Sequence, residues 1–118
     1  MISMREAYEK IGANYEDACA RLMGEEMLAR FALKFLDDES MDKLEAAMAA
    51  GDAEGAFMAA HTLKGVSQNL GFDNLYEPAV VVTEALRGAD AVDGAREGMH
   101  ALQRQYAATM SALREAAE

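Results

Sequence analysis

Apolar residues along this chain recur at steps of three and four, and no stretch alternates strictly between apolar and polar. That periodicity predicts helices throughout and no half-buried strands. The pattern is clearest from Ala53 to Leu70. At 100° per residue, Ala53, Ala56, Ala60, Leu63, Ser67 and Leu70 fall in one sector. The sector's small side chains predict a close helix–helix approach. Phe57, His61, Lys64 and Gln68 fall on its flank, with Gly65 beside them.

Glycines and short polar residues punctuate these stretches as helix ends do. A short first helix is predicted from about Ser3 to Lys10, ending near Gly12. A second runs from Tyr15 to Met23 and stops at Gly24, and a third spans Glu25 to Asp37. Ser40 reads as the cap of Met41 to Ala50, closed by Gly51. Asp52 reads as the cap of Ala53 to Asn69, closed by Gly71. Asp73 reads as the cap of a helix reaching Arg87 or Gly88, and the last helix spans roughly Asp93 to Ala117. Pro78 then falls in a second turn, where it removes a hydrogen bond and crowds the carbonyl of Asn74. A kink there, or a helix start a few residues later, is expected.

The joints at Gly51-Asp52 and at Leu70-Gly71-Phe72-Asp73 are short enough to imply antiparallel hairpins. The expected fold is therefore all-α: an antiparallel up-and-down four-helix bundle made by the last four helices. The additional short N-terminal helices pack across one end. No linker, repeat or low-complexity tract divides residues 1–118, which read as one domain.

Composition narrows the function. A chain that is 52% hydrophobic can bury a core. A net charge of −10 argues against nucleic acid and against an anionic membrane surface. No apolar run reaches the ~18–20 residues of a membrane span. The start Met1-Ile2-Ser3-Met4-Arg5-Glu6 has no apolar signal-peptide core. A cytoplasmic location is expected. Cys19 is the only cysteine, so no intramolecular disulfide or cysteine zinc cluster can form, and a small buried hydrophobe is the expected role. The nine methionines read as core filler. Glu97 and His100 make a single Glu-x-x-His pair, whereas bundle metal sites repeat it on two helices. His100 is read as a solvated surface residue, and Glu84 as surface charge. The chain lacks GxxxxGK[ST] and any other Gly-rich nucleotide loop, so no cofactor is expected.

His61 carries the candidate chemistry. Lys64 and Gly65 lie one turn further on, so their positions meet it on the helix surface. A nucleophilic histidine needs one ring nitrogen exposed and neutral, and the other held as a donor. Phosphoryl transfer needs in-line positioning and compensation of charge on the equatorial oxygens. Lys64 can supply that charge. Glycine inside a helix costs roughly 1 kcal/mol against alanine, so Gly65 implies a steric reason: room for a partner, or a tight contact with a neighbouring helix.

The run His61-Thr62-Leu63-Lys64-Gly65 is followed by Ser67, Asn69-Leu70-Gly71 and Leu75. It is preceded by Leu22-Met23-Gly24-Glu25, Phe35-Leu36-Asp37-Asp38, Leu44 and Ala49-Ala50-Gly51-Asp52. In this order the chain resembles the histidine-containing phosphotransfer (HPt) domain family, from about Ile11 to the final helix. The resemblance implies a four-helix bundle that carries phosphate on an exposed histidine. It takes the group from one response-regulator receiver aspartate and passes it to another. His61 would be the phosphoacceptor through Nε2, Lys64 would attract the phosphoryl group, and Gly65 would open the approach. The partners implied are receiver domains and a sensor histidine kinase, in hybrid form where a relay needs one. Any Mg²⁺ would sit in the receiver's acidic pocket. In the family a polar side chain on the following helix often bonds the histidine's other nitrogen. Thr83 holds that position here and is shorter than the usual Gln or Glu. Val80 stands where kinase-fused P1 domains have a second histidine. The resemblance thus implies a relay carrier rather than a free-standing enzyme. Two other readings are a docking module that binds receivers or kinases without phosphate, and a P1-like kinase substrate. Docking candidates are Phe57, Gln68 and exposed positions of the Glu25–Asp37 helix such as Leu28 or Phe31, although Phe31 and Phe35 fit core packing better.

Overall fold

The computed structural model describes residues 1–117; the last residue of the expected 1–118 domain lies outside the described residues. The chain forms α1 (Met4–Ile11), α2 (Tyr15–Leu22), α3 (Glu25–Lys34), α4 (Ser40–Ala50), α5 (Ala53–Asn69), α6 (Asp73–Leu86) and α7 (Arg96–Ala117). Short 3₁₀ turns at Phe35–Asp37 and Asp93–Ala95 precede α4 and α7. Among the described residues there is no strand.

Local chemistry explains most helix ends. Ser3 and Glu6 form a reciprocal capping box at the start of α1. The Asn14 side chain accepts the amide of Asp17 at 3.0 Å, and the Asp52 side chain that of Gly55 at 2.9 Å. Three expected boundaries are corrected. Ser40 is the first residue of α4 rather than its cap, and its amide donates to Asp38 Oδ2 at 2.9 Å. Phe72, not Asp73, is the residue before α6. The third helix tightens into a 3₁₀ turn at Phe35 instead of running on to Asp37.

Pro78 does not delay the start of α6, which runs unbroken from Asp73 to Leu86. Packing holds this helix through the lost hydrogen bond: Leu75, Ala79, Val82 and Leu86 on its inner face are all buried. Burying one such leucine or valine contributes about 1.5–3 kcal/mol, which offsets the defect of one proline. The first turn is also fixed to α7, because Asn74 Nδ2 donates to Gln105 Oε1 and Thr109 Oγ1, both at 3.0 Å.

Helices α4 to α7 form the bundle, each packed on the next in the chain. Every residue of the α5 apolar sector is buried, from Ala53 to Leu70. Gly98 lets α7 close on α6; a β-carbon there would lie 3.3 Å from Val82 Cγ2. Between α4 and α7 the seam is looser. Gln103 reaches across to Glu45 at 3.1 Å, over an open groove of about 280 Å³ floored by Met48 and Met99.

The N-terminal helices close the end that holds the α5–α6 turn and the C-terminus of α7. The Tyr8 hydroxyl donates to the Leu70 carbonyl at 2.7 Å, and the Asn14 amide to the Gly71 carbonyl at 2.7 Å. Burial pushes the Tyr8 phenol well above its ordinary pKa, so it remains a donor. Gly71 is required at this joint: its φ is +69°, and a β-carbon would lie 2.6 Å from the Asn14 carbonyl oxygen. Beneath this cap the Phe72 ring meets Tyr8 at a tilt and Phe35 in a T-shaped contact. Lys10 pairs with Glu115 at 2.7 Å along α7.

Candidate functional site

The inward sector of α5 fixes its outward face. With Ala60 and Leu63 fully buried, His61 projects into solvent and is exposed. Its ring leans on Phe57, one turn back, with centroids 5.9 Å apart and planes tilted by 42°. Phe57 is half-buried at the edge of the core, so it gives the imidazole a firm apolar neighbour. Lys64 is half-buried one turn ahead, and Gln68 is exposed two turns ahead on the same side.

Gly65 now has a clear surrounding. A β-carbon built there meets nothing within 4 Å. The tight helix contact that could have explained this glycine is therefore absent, and the space above it is open to an incoming molecule. Gly55 on the same helix differs, because a β-carbon there would strike the Asp52 side chain that caps α5.

Helix α6 contributes two residues that the sequence reading treated as helix end and surface charge. Antiparallel packing puts Arg87 against Phe57, its guanidinium carbon 5.1 Å from the ring centroid. Arg87 Nε and Nη2 donate to Glu84 Oε2 and Oε1, each at 3.1 Å. These hydrogen bonds, the Arg87 charge and then the Lys64 charge hold the Glu84 carboxyl below the usual carboxylate range. Glu84 and Arg87 stand three apart, which a sequence can flag as an ion pair. Their position over α5 depends on helix register, which a sequence does not display.

The remaining expectations divide. Thr83 is fully buried, and its hydroxyl donates to the Ala79 carbonyl at 2.7 Å, so its proton is used within α6 and not on His61. Leu28 is fully buried and is no docking residue. Phe31, read as core, is instead 39% exposed, while Phe35 is buried as expected. The stripe that faces inward on α3 is Leu28, Ala32 and Phe35, which leaves Phe31 at its margin with Lys34 Nζ 5.7 Å from its ring. Phe31 and Lys34 line a recess of about 200 Å³ with Val66 and Asn69 on the C-terminal half of α5. Cys19 is only half-buried, at the edge of the core. His100 is exposed in the α4–α7 groove, as the sequence suggested. Among the described residues, no three His, Cys, Asp or Glu side chains are grouped as metal ligands would be. Also among them, no helix is long and apolar enough to cross a membrane.

The family model described as Hpt domain matches residues 26–116, which takes in α4 to α7 and nearly all of α3. The chain belongs to the Hpt domain family. No curated protein and no solved structure matches it. Hpt domains take part in phosphotransfer in two-component signalling, as carriers rather than catalysts, and they interact there with receiver domains and kinases. Helices α1 and α2 precede the matched region of this Hpt domain.

Proposed function

We propose that this Hpt domain is a phosphorelay carrier that accepts a phosphoryl group on His61 from one receiver aspartate and donates it to another. The observation that carries the reading is the open space over Gly65, one turn from an exposed imidazole. A receiver must bring its phosphoaspartate to within bonding distance of His61, and a side chain at 65 would stand in its way.

In the forward step, the lone pair of neutral His61 Nε2 attacks phosphorus in line with the aspartyl oxygen. The nitrogen–phosphorus bond forms as the phosphorus–oxygen bond breaks, and the aspartate leaves as a carboxylate. The Nδ1 proton stays on the ring, so the phosphorylated imidazole carries a formal positive charge beside its dianionic phosphoryl group. Return transfer to a second receiver reverses these changes. Lys64 compensates charge on the equatorial oxygens. Phe57 restrains the ring, and Gln68 with Phe57 and the Phe31–Lys34 recess offers the mixed apolar and polar surface that docking uses. Mg²⁺ belongs to the receiver in this scheme, and the partners are receiver domains and a hybrid sensor kinase in the cytoplasm.

The test is transfer from a phosphorylated receiver, followed by mass-spectrometric mapping of an acid-labile, base-stable adduct. Phosphate on His61 in the wild type and none in His61→Gln is the expected result. Receiver binding with no adduct would replace the carrier with a docking module. Labelling only by a kinase and ATP, with no receiver, would make the domain a kinase substrate of the P1 kind.

A further inference from the structure

Glu84 stands where a carrier of anionic phosphate would be expected to avoid negative charge. Its carboxylate is held in a two-point hydrogen-bonded pair with Arg87. Arg87 in turn lies on the Phe57 ring, whose other neighbour is His61. The Lys64 charge acts on the same carboxylate. One anion thus occupies the guanidinium that reaches the imidazole's aromatic neighbour.

We propose that Glu84 is a placeholder for the phosphoryl group, holding Arg87 on the Phe57 ring that borders His61 until phosphorylation and yielding it to the phosphoryl oxygens afterwards. This regulation rests on the carrier reading of His61. A guanidinium fork accepts a carboxylate or a phosphate with the same geometry. A phosphoryl group brings about −1.5 to −2 charges against one on the carboxylate, so the guanidinium favours it. The exchange is easy because the pair is exposed: the Arg87 and Glu84 side chains are 53% and 55% accessible, and water rehydrates the released carboxylate. No covalent bond of Glu84 or Arg87 changes. Arg87 N–H bonds to carboxylate oxygens break and equivalent bonds to phosphoryl oxygens form. The released carboxylate stays nearby and repels the new anion. Glu84 therefore limits how far phosphate settles on His61, which suits a carrier that must give the group away.

Glu84 acts through Arg87, and is a positioning residue. The test equilibrates phosphorylated receiver with wild type, Glu84→Gln and Glu84→Asp, and measures the ratio of phosphohistidine to phosphoaspartate. Glu84→Gln should shift the ratio toward His61 by roughly two- to five-fold, the scale of one exposed ion pair. Glu84→Asp, which keeps the charge, should stay close to wild type. In parallel, the Arg87 Nε–H signal is followed by NMR while phosphoramidate labels His61, and should move on labelling. Normal labelling with an unchanged ratio in Glu84→Gln, or an unmoved Arg87 signal, overturns the placeholder and leaves the carrier intact. Failure of wild-type His61 to take phosphate from either donor overturns both.

Discussion

His61 and His100 are both exposed histidines on bundle helices with an arginine or lysine within a turn, and their surroundings differ in two ways. Beyond His61 the next turn is bare at Gly65, and a half-buried lysine stands at position 64. Beyond His100 the next turn carries Arg104, while Arg96 is paired with Asp93 at 3.3 Å and Gln103 with Glu45 at 3.1 Å. His100 also lies along a groove between helices, whereas His61 is exposed on the outward face of α5. Exposure and nearby positive charge are thus shared by both. Steric access over the bare turn at Gly65 distinguishes the proposed acceptor.

The contrast is broken most decisively by exchange of the histidines for glutamine. His61→Gln should abolish phosphate acceptance with the far-UV spectrum and thermal midpoint retained, because the side chain is outside the core. Acceptance that persists and maps to His100 would reverse the assignment. Gly65→Gln comes next. Transfer should fall by roughly a hundred-fold or more, a few kcal/mol of barrier from blocked in-line approach. The helix should meanwhile gain about 0.5 kcal/mol, since glutamine is the better helix former and the space is free. A normal transfer rate would remove access from the comparison. Lys64→Ala should slow transfer by roughly ten-fold, less than the loss of a donor in a closed oxyanion site, because solvent screens this one. Receiver affinity should barely change, which titration calorimetry can check. The smallest effect belongs to His100→Gln: transfer at the wild-type rate and a stability change within about 0.5 kcal/mol, as for ordinary surface substitutions.

Much of this contrast could be read from the chain. The α5 periodicity placed His61 outside the apolar sector, and every member of that sector is buried. Glycines at 12 and 51 end helices where expected, because a left-handed residue leaves a strong local signature. Features set by neighbouring helices were less legible. A helical wheel assigns Phe31 and Phe35 to similar directions, yet the chain tightens into a 3₁₀ turn at Phe35, which is covered while Phe31 is not. Thr83 could be matched to a family position, but its hydroxyl had a carbonyl one turn back that competed for the proton. Arg87 and Glu84 were ambiguous for the same reason as Phe31: their importance depends on which residues of α5 they face. Of the two outcomes expected at Pro78, the later helix start does not occur, because burial on both sides of the proline holds the first turns of α6.

The cap at the far end of the bundle has a different consequence. The matched region begins at residue 26, yet the carbonyls of Leu70 and Gly71, which close the histidine helix, receive their donors from Tyr8 and Asn14. Phe72 likewise has the Tyr8 ring against it, 5.2 Å away. A fragment cut at the borders of kinship would lose those partners and bare an aromatic floor. What this protein shares with its relatives is therefore shorter than what it needs to close its own core: descent and cohesion draw its outline in different places.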